Sequence, residues 1–170
     1  NTESRRYPIT RGAYQPQMIG SRDIVVSILS PDGRDLEAST YLGGRSAHGL
    51  ASEGTGIGLA PDGDVVIAGI TNTAGFKTTA NALQPRSTSG YYDSSVIAEL
   101  TPDLRKVPYL SYLSGHTVTH ARGLAVGPSG TVFVAGGSNP GLQQTGAHLP
   151  RFHDPHERIN PNAFVAAFEL

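Results

Sequence analysis

The sequence predicts an all-β chain, and three observations carry that prediction. Short runs of Val, Ile, Thr and Tyr are separated by turns rich in glycine and proline, with Gly at 21 and Pro at 12 of 170 positions; this is the punctuation expected of strands. No stretch keeps apolar residues at i, i+3, i+4 and i+7 for three turns, so amphipathic helices are not expected. The third observation is an internal repeat, the signature of stacked architectures. GIGLAPDGDVVIAGITN at 56–72 returns without a gap as GLAVGPSGTVFVAGGSN at 123–139, an offset of 67 residues.

Taken in chain order, the elements follow from that repeat. The opening NTESRRYPITRGAYQP matches NTAGFKTTANALQP, which runs from Asn72 to Pro85 directly after an apolar strand; the first copy has no such strand before it. The chain then supplies DIVVSILSPDG from Asp23, repeated as SSVIAELTPDL from Ser94 and as NAFVAAFEL from Asn162. A fourth word is STYLGG at Ser39 and LSYLSG at Leu110, with Tyr41 matching Tyr112, and both tyrosines are expected to pack between neighbouring sheets. One complete unit of four strands therefore runs from Gly56 to Leu113, preceded by the last two strands of a unit and followed by the first three of another. That is nine strands, with units at 1–44, 45–115 and 116–170 of a single fragment.

Turn chemistry fixes the hairpins. In Pro61-Asp62-Gly63 and Pro128-Ser129-Gly130, proline presets φ, Asp or Ser bonds the local backbone, and Gly63 or Gly130 takes the left-handed conformation at a bulge. Pro31-Asp32-Gly33 repeats the device, whereas Pro102-Asp103-Leu104 lacks the glycine, so a different turn is expected there.

Side-chain alternation then selects the architecture. Ile57-Gly58-Leu59-Ala60 alternates large with minimal residues, so one face of that strand allows close approach by another backbone. Val65-Val66-Ile67-Ala68-Gly69-Ile70 is apolar on both faces and must be covered twice. Four-stranded antiparallel sheets that recur and cover one another describe the blades of a β-propeller, here a partial one whose small-residue strand lies innermost. A ring needs about four to eight blades, so this chain is not expected to close one alone. It is expected to be a piece of a longer polypeptide, or else to be completed by another subunit.

The words GTGIGLAPDGDVVIAGITN, AYQP, DIVVSILSPDG and STYLGG resemble the bacterial SBBP repeat, named for seven-bladed β-propellers, and the matches run through nearly the whole chain. The resemblance implies a propeller in a cell-envelope or secreted bacterial protein, hence an extracytoplasmic location, and it implies no shared catalytic residues. The second unit departs from it with LSYLSG in place of the glycine pair, and the third stops early.

Composition excludes several function classes. A formal charge of −1 provides no basic footprint for nucleic acid, and no apolar run reaches the ~18 residues of a membrane span. Peripheral association with a membrane complex stays open. With no cysteine there is no thiolate ligand or nucleophile. Histidines are the remaining metal candidates: HTVTH holds His116 and His120 in a strand-to-loop region, and HDPHER gathers His153, Asp154 and His156 with Glu157 in a long insertion. Zinc needs three or four converging ligands, and a solvated polar loop is the plainer reading, so no metal or cofactor is expected. Asp23, Asp32, Asp62, Asp93 and Asp103 fall mostly at turns. GTGIGLA has no crossover helix behind it to bind phosphate, and the serines near glycine lack the strand–turn–helix setting of a nucleophile elbow. Tyr91 and Tyr92, in STSGYYDSS, are the candidate partner anchors. The expected function is a non-catalytic binding or scaffold module whose partners are the remaining blades or another subunit. The alternative is a fragment of a polysaccharide-acting hydrolase or lyase.

Overall fold

A computed structural model of the chain describes residues 1–45, 51–90, 92–139, 141–142 and 162–170. Among the described residues there are nine strands and no helix: β1 (Ile24–Leu29), β2 (Leu36–Leu42), β3 (Ser52–Leu59), β4 (Val65–Thr71), β5 (Ser94–Leu100), β6 (Tyr109–Leu113), β7 (Thr119–Val126), β8 (Val132–Ser138) and β9 (Asn162–Phe168). They form three antiparallel sheets, each running in sequence order: sheet I is β1-β2, sheet II is β3-β4-β5-β6 and sheet III is β7-β8-β9. The grouping into two, four and three strands is the one the repeats predicted, and no sheet closes on itself.

Sheet II is buried on both faces. Val65, Ile67, Val96, Ala98, Leu100, Leu110 and Tyr112 pack with Ile24, Val26, Ala38 and Leu42 of sheet I. The alternate residues Val66, Ala68, Ile97, Tyr109 and Leu113 pack with Ala121, Val132, Val134 and Phe168 of sheet III. The doubly apolar β4 of the sequence is thus the strand shared by two cores. Burial of this kind contributes ~25 cal/mol per Å² of apolar surface removed from water.

Close approach by the inner strands explains the small residues of β3. A Cβ on Gly56 would sit 2.7 Å from Cβ of Leu124, and one on Gly58 would sit 2.8 Å from Cγ2 of Val126. Both inner strands begin earlier than their apolar patterns suggest. Residues 52–55 and 119–122 carry mainly polar side chains, and their strand character comes from pairing across a register shift, at Gly54/Gly56 in one and Ala121/Gly123 in the other.

The predicted turns form. Gly33, Gly63 and Gly130 have φ of 71°, 92° and 91°, and each amide closes the turn three residues back, on Ser30, Ala60 and Gly127. One expectation is corrected. Leu104 adopts the same left-handed conformation, with φ of 55°, and its amide donates to the Thr101 carbonyl at 2.8 Å. The turn is therefore conserved in shape without glycine. Complete burial of the leucine between sheets I and II offsets the backbone cost, which is about 1 kcal/mol or slightly more for a non-glycine residue there.

The expectation for the paired tyrosines holds for one of them. Tyr112 lies in the core shared by sheets I and II, while Tyr41, equally buried, belongs to neither shared core. Both instead share a second task, set by their hydroxyls.

Candidate functional site

The two outer strands, β2 and β6, are each fastened to the long loop that precedes their hairpin, and the fastening is the same in both units. The Tyr41 hydroxyl donates to the Ser4 carbonyl at 2.7 Å and accepts from the Tyr7 amide at 3.2 Å. Tyr112 repeats this with the Thr73 carbonyl at 2.9 Å and the Phe76 amide at 3.1 Å. Each tyrosine also meets the loop's aromatic ring edge-on, at centroid distances of 6.3 Å for Tyr7 and 6.1 Å for Phe76. Further along, the Gln15 side-chain oxygen accepts from the Gly43 amide, as that of Gln84 does from the Ser114 amide. The Gln15 and Gln84 carbonyls accept the amides of Tyr41 and Tyr112. The loops thus satisfy the outward edges of β2 and β6, edges that would otherwise invite pairing with other chains.

Among the described residues, Asp23 is the one carboxylate sealed from solvent. It is 0% exposed and accepts from the Gln15 side-chain amide at 2.8 Å and from the amides of Ile19 at 2.9 Å and Gly20 at 3.1 Å. Its role is to tie the loop before β1, and Ser94 holds the equivalent place with hydroxyl bonds to Ser87 and Ser89.

The polar groups that face a neighbouring sheet collect along two seams. At the first, the Ser52 amide donates to the Arg22 carbonyl at 2.8 Å, and the Arg22 guanidinium bonds Glu53 and, at 2.7 Å, Glu3. At the second, the Thr119 amide donates to the Asp93 carbonyl at 2.9 Å, and Asp93 Oδ2 lies 2.8 Å from His120 Nε2. Arg122 Nη2 is 3.1 Å from His120 Nδ1. Arginine only donates, so Nδ1 is the acceptor and Nε2 carries the proton shared with Asp93. In the repeat, Arg22 aligns with Asp93 and Glu53 with His120: both seams hold a hydrogen-bond donor facing a carboxylate, with the two roles exchanged. Sequence analysis singled out Asp93 and His120 separately but not as a pair, and it missed Arg22, Glu53 and Arg122; the signal was in two alignment columns that exchange hydrogen-bond donor and acceptor together.

The Asp93 end of the second seam borders an open cleft of about 200 Å³ lined by Ala51, Glu53, Ile70, Thr71, Asn72 and Asp93. Its two carboxylates belong to different seams, Glu53 to Arg22 and Asp93 to His120. Each is thus engaged by a cation or a proton donor.

Of the residues singled out from sequence, Gly33, Gly63 and Gly130 occupy the turns described. Tyr92 is exposed at 56%, with its amide bonded to the Ser89 carbonyl. His116 packs against Gly141 and His120 belongs to the second seam, so HTVTH does not converge on one point. Tyr91, His153, Asp154, His156 and Glu157 lie outside the described residues. Among the described residues no three His, Asp or Glu side chains gather as a metal site would require, and no helix is long and apolar enough to cross a membrane. Comparison of the chain with protein-family models, with curated proteins and with solved structures finds no match.

Proposed function

We propose that the chain is an arc of a β-propeller of the SBBP-repeat kind and works as a non-catalytic binding or scaffold module, in an extracytoplasmic bacterial protein or as an accessory subunit of a complex. The observation that carries this reading is the recurrence of one sheet-to-sheet contact: sheet II meets sheet III through the equivalents of the groups by which sheet I meets sheet II, down to the amide–carbonyl bond at each seam. Wedges joined by one repeated contact are what a propeller requires. The location rests on the resemblance of the repeat words. Partners are the remaining blades or another protein subunit, with exposed Tyr92 as the aromatic contact candidate.

A polysaccharide-acting hydrolase or lyase is the second reading, favoured by the Asp93–His120 pair beside the cleft. Against it, Arg22 and Glu53 fill the same two places in the first seam with a different chemistry, which suits fastening better than catalysis. Two measurements separate the readings. The scaffold expects stoichiometric co-purification of a defined partner from envelope extracts, reduced by Tyr92→Ala, and no release of sugar from a glycan panel. Sugar release that disappears with Asp93→Asn or His120→Gln would overturn it.

A further inference from the structure

We infer that the face of sheet III turned away from sheet II is the docking surface for one further sheet of the same repeat, recognised by an inner strand that places a bulky side chain against Gly123. This rests on the propeller-arc reading and adds which face continues the stack and what its neighbour must carry.

Along β8 and β9 the face is apolar and exposed, with His120 of β7, paired to Gly137, at one end of it. It carries Phe133 at 44% and Val165 at 76% exposure, with Ala125, Ala135, Ala163 and Ala167 around them. Strand register makes Phe133 the counterpart of Val66, Ala135 of Ala68 and Val165 of Ile97. Those three counterparts are 0% exposed because sheet III covers them. An apolar, small-residue sheet face left in water is unusual for a soluble surface, and here its equivalent one unit earlier shows what covers it.

Gly123 is the independent sign. Its counterpart Gly56 is glycine for a visible reason, since Leu124 of the next sheet leaves no room for a side chain. At Gly123 a Cβ would meet no described atom within 4 Å, its backbone is not one of the positive-φ glycines, and glycine weakens a strand interior. The minimal residue is retained at the place where a neighbour's inner strand would press. Ala125 replaces Gly58, which faces Val126, so the residue two places after the knob on that neighbour must be smaller than Val126.

A second copy of this chain is a poor occupant. Its other end face, on sheet I, has no inner strand to reach Gly123. That face also carries the hydroxyl chain Tyr7–Ser27–Ser39, with bonds of 3.1 and 3.0 Å, where sheet II has Phe76, Ala98 and Leu110 in its core. The two ends of the stack are chemically unlike.

The test extends the full chain by one unit of its own sequence. Register aligns Phe168 with Leu100, so residues 103–170 are appended after Leu170, with Ala125→Gly in the first copy to admit the added Val126. The extended chain is expected to melt higher than the 170-residue chain. Gly123→Val or Val165→Lys, made in the first copy, should lower its midpoint by roughly 5–10 °C. In the unextended chain the same substitutions should move the midpoint by only about 2 °C. Equal small effects in both chains would overturn the inference. So would an added unit that stays protease-sensitive beside an unchanged first part, or self-association of the unextended chain that Val165→Lys dissolves, which would assign the face to a second copy. Partner retention and sugar release read the scaffold proposal without involving this face, so the two can fail separately.

Discussion

At the scale of single residues, the strongest commitments are polar or conformational groups held inside apolar surroundings. Replacing Asp23 by Ala removes the acceptor of three N–H groups, those of Gln15 and Gly20 in buried bonds and that of Ile19 in a part-buried one, each bond to a charged group being worth roughly 1.5–3 kcal/mol. A denaturant midpoint lowered by the equivalent of about 3 kcal/mol or more is expected. Leu104 sets two effects against each other. Leu104→Ala should cost about 2–5 kcal/mol for the lost buried side chain, and Leu104→Gly should cost slightly less, because glycine relieves the left-handed backbone; elsewhere in a strand or helix the order is the reverse. Chemical denaturation of the two variants gives the ranking directly. Glu99 is the residue whose replacement should help. Burial first, then the Asp64 and Asp62 carboxylates, push its pKa above the ordinary value, so its charged form opposes folding at neutral pH. Glu99→Gln should therefore raise the thermal midpoint at pH 7, and the gain should shrink as pH falls through the raised folded-state pKa and vanish below the unfolded one. The aspartates of the turns behave oppositely. The Ser30 hydroxyl and Arg34 amide hold Asp32 low, and the Thr101 hydroxyl and Arg105 amide hold Asp103 low. Their contribution is present at neutral pH and is lost only as acid titrates them through those depressed values.

At the scale of elements, a strand in this chain is as much a product of its loop as of its own residues. The outer strands β2 and β6 keep their free edges satisfied by the loops that Tyr41 and Tyr112 clamp. Tyr112→Phe keeps the ring and removes the hydroxyl, leaving the Phe76 amide and Thr73 carbonyl unmatched. It should cost about 1–3 kcal/mol and open residues 73–88 to limited proteolysis before the strands unfold. Burial pushes the Tyr112 phenol above its usual pKa, against a smaller opposing effect of the Phe76 amide. The wild type should therefore lose stability as pH rises past about 10, where the unfolded phenol ionises first, and Tyr112→Phe should lose less over that range. Strand count and grouping were legible in the sequence because the apolar runs of β4, β5 and β8 repeat in order, and because a turn opened by proline marks the β1–β2, β3–β4, β5–β6 and β7–β8 hairpins. The polar starts of β3 and β7 were not legible, since Ser52 and Thr119 are recruited by bonds to the preceding sheet and carry no alternation of their own. Nor was the fate of the Leu104 turn, because burial decided it and burial is a property of two sheets together.

For the whole molecule, the repeated seam is what turns three sheets into one stack, and its chemistry can be exchanged. Arg22 with Glu53 and Asp93 with His120 occupy the same two positions, a guanidinium against a carboxylate in the first seam and an imidazole against a carboxylate in the second. If the position alone matters, transplanting the first seam into the second should succeed. Asp93→Arg alone places a cation against His120 and Arg122, and His120→Glu alone sets two carboxylates together, so each single variant should lose stability. The double variant should recover most of what the singles lose, with a coupling of roughly 0.5–1 kcal/mol for half-exposed groups. The cycle is read from the denaturant midpoints of the four proteins. If the losses simply add, the side-chain pairs are incidental, and the sheets are held by their apolar faces and by the amide–carbonyl bonds of Ser52 and Thr119 alone.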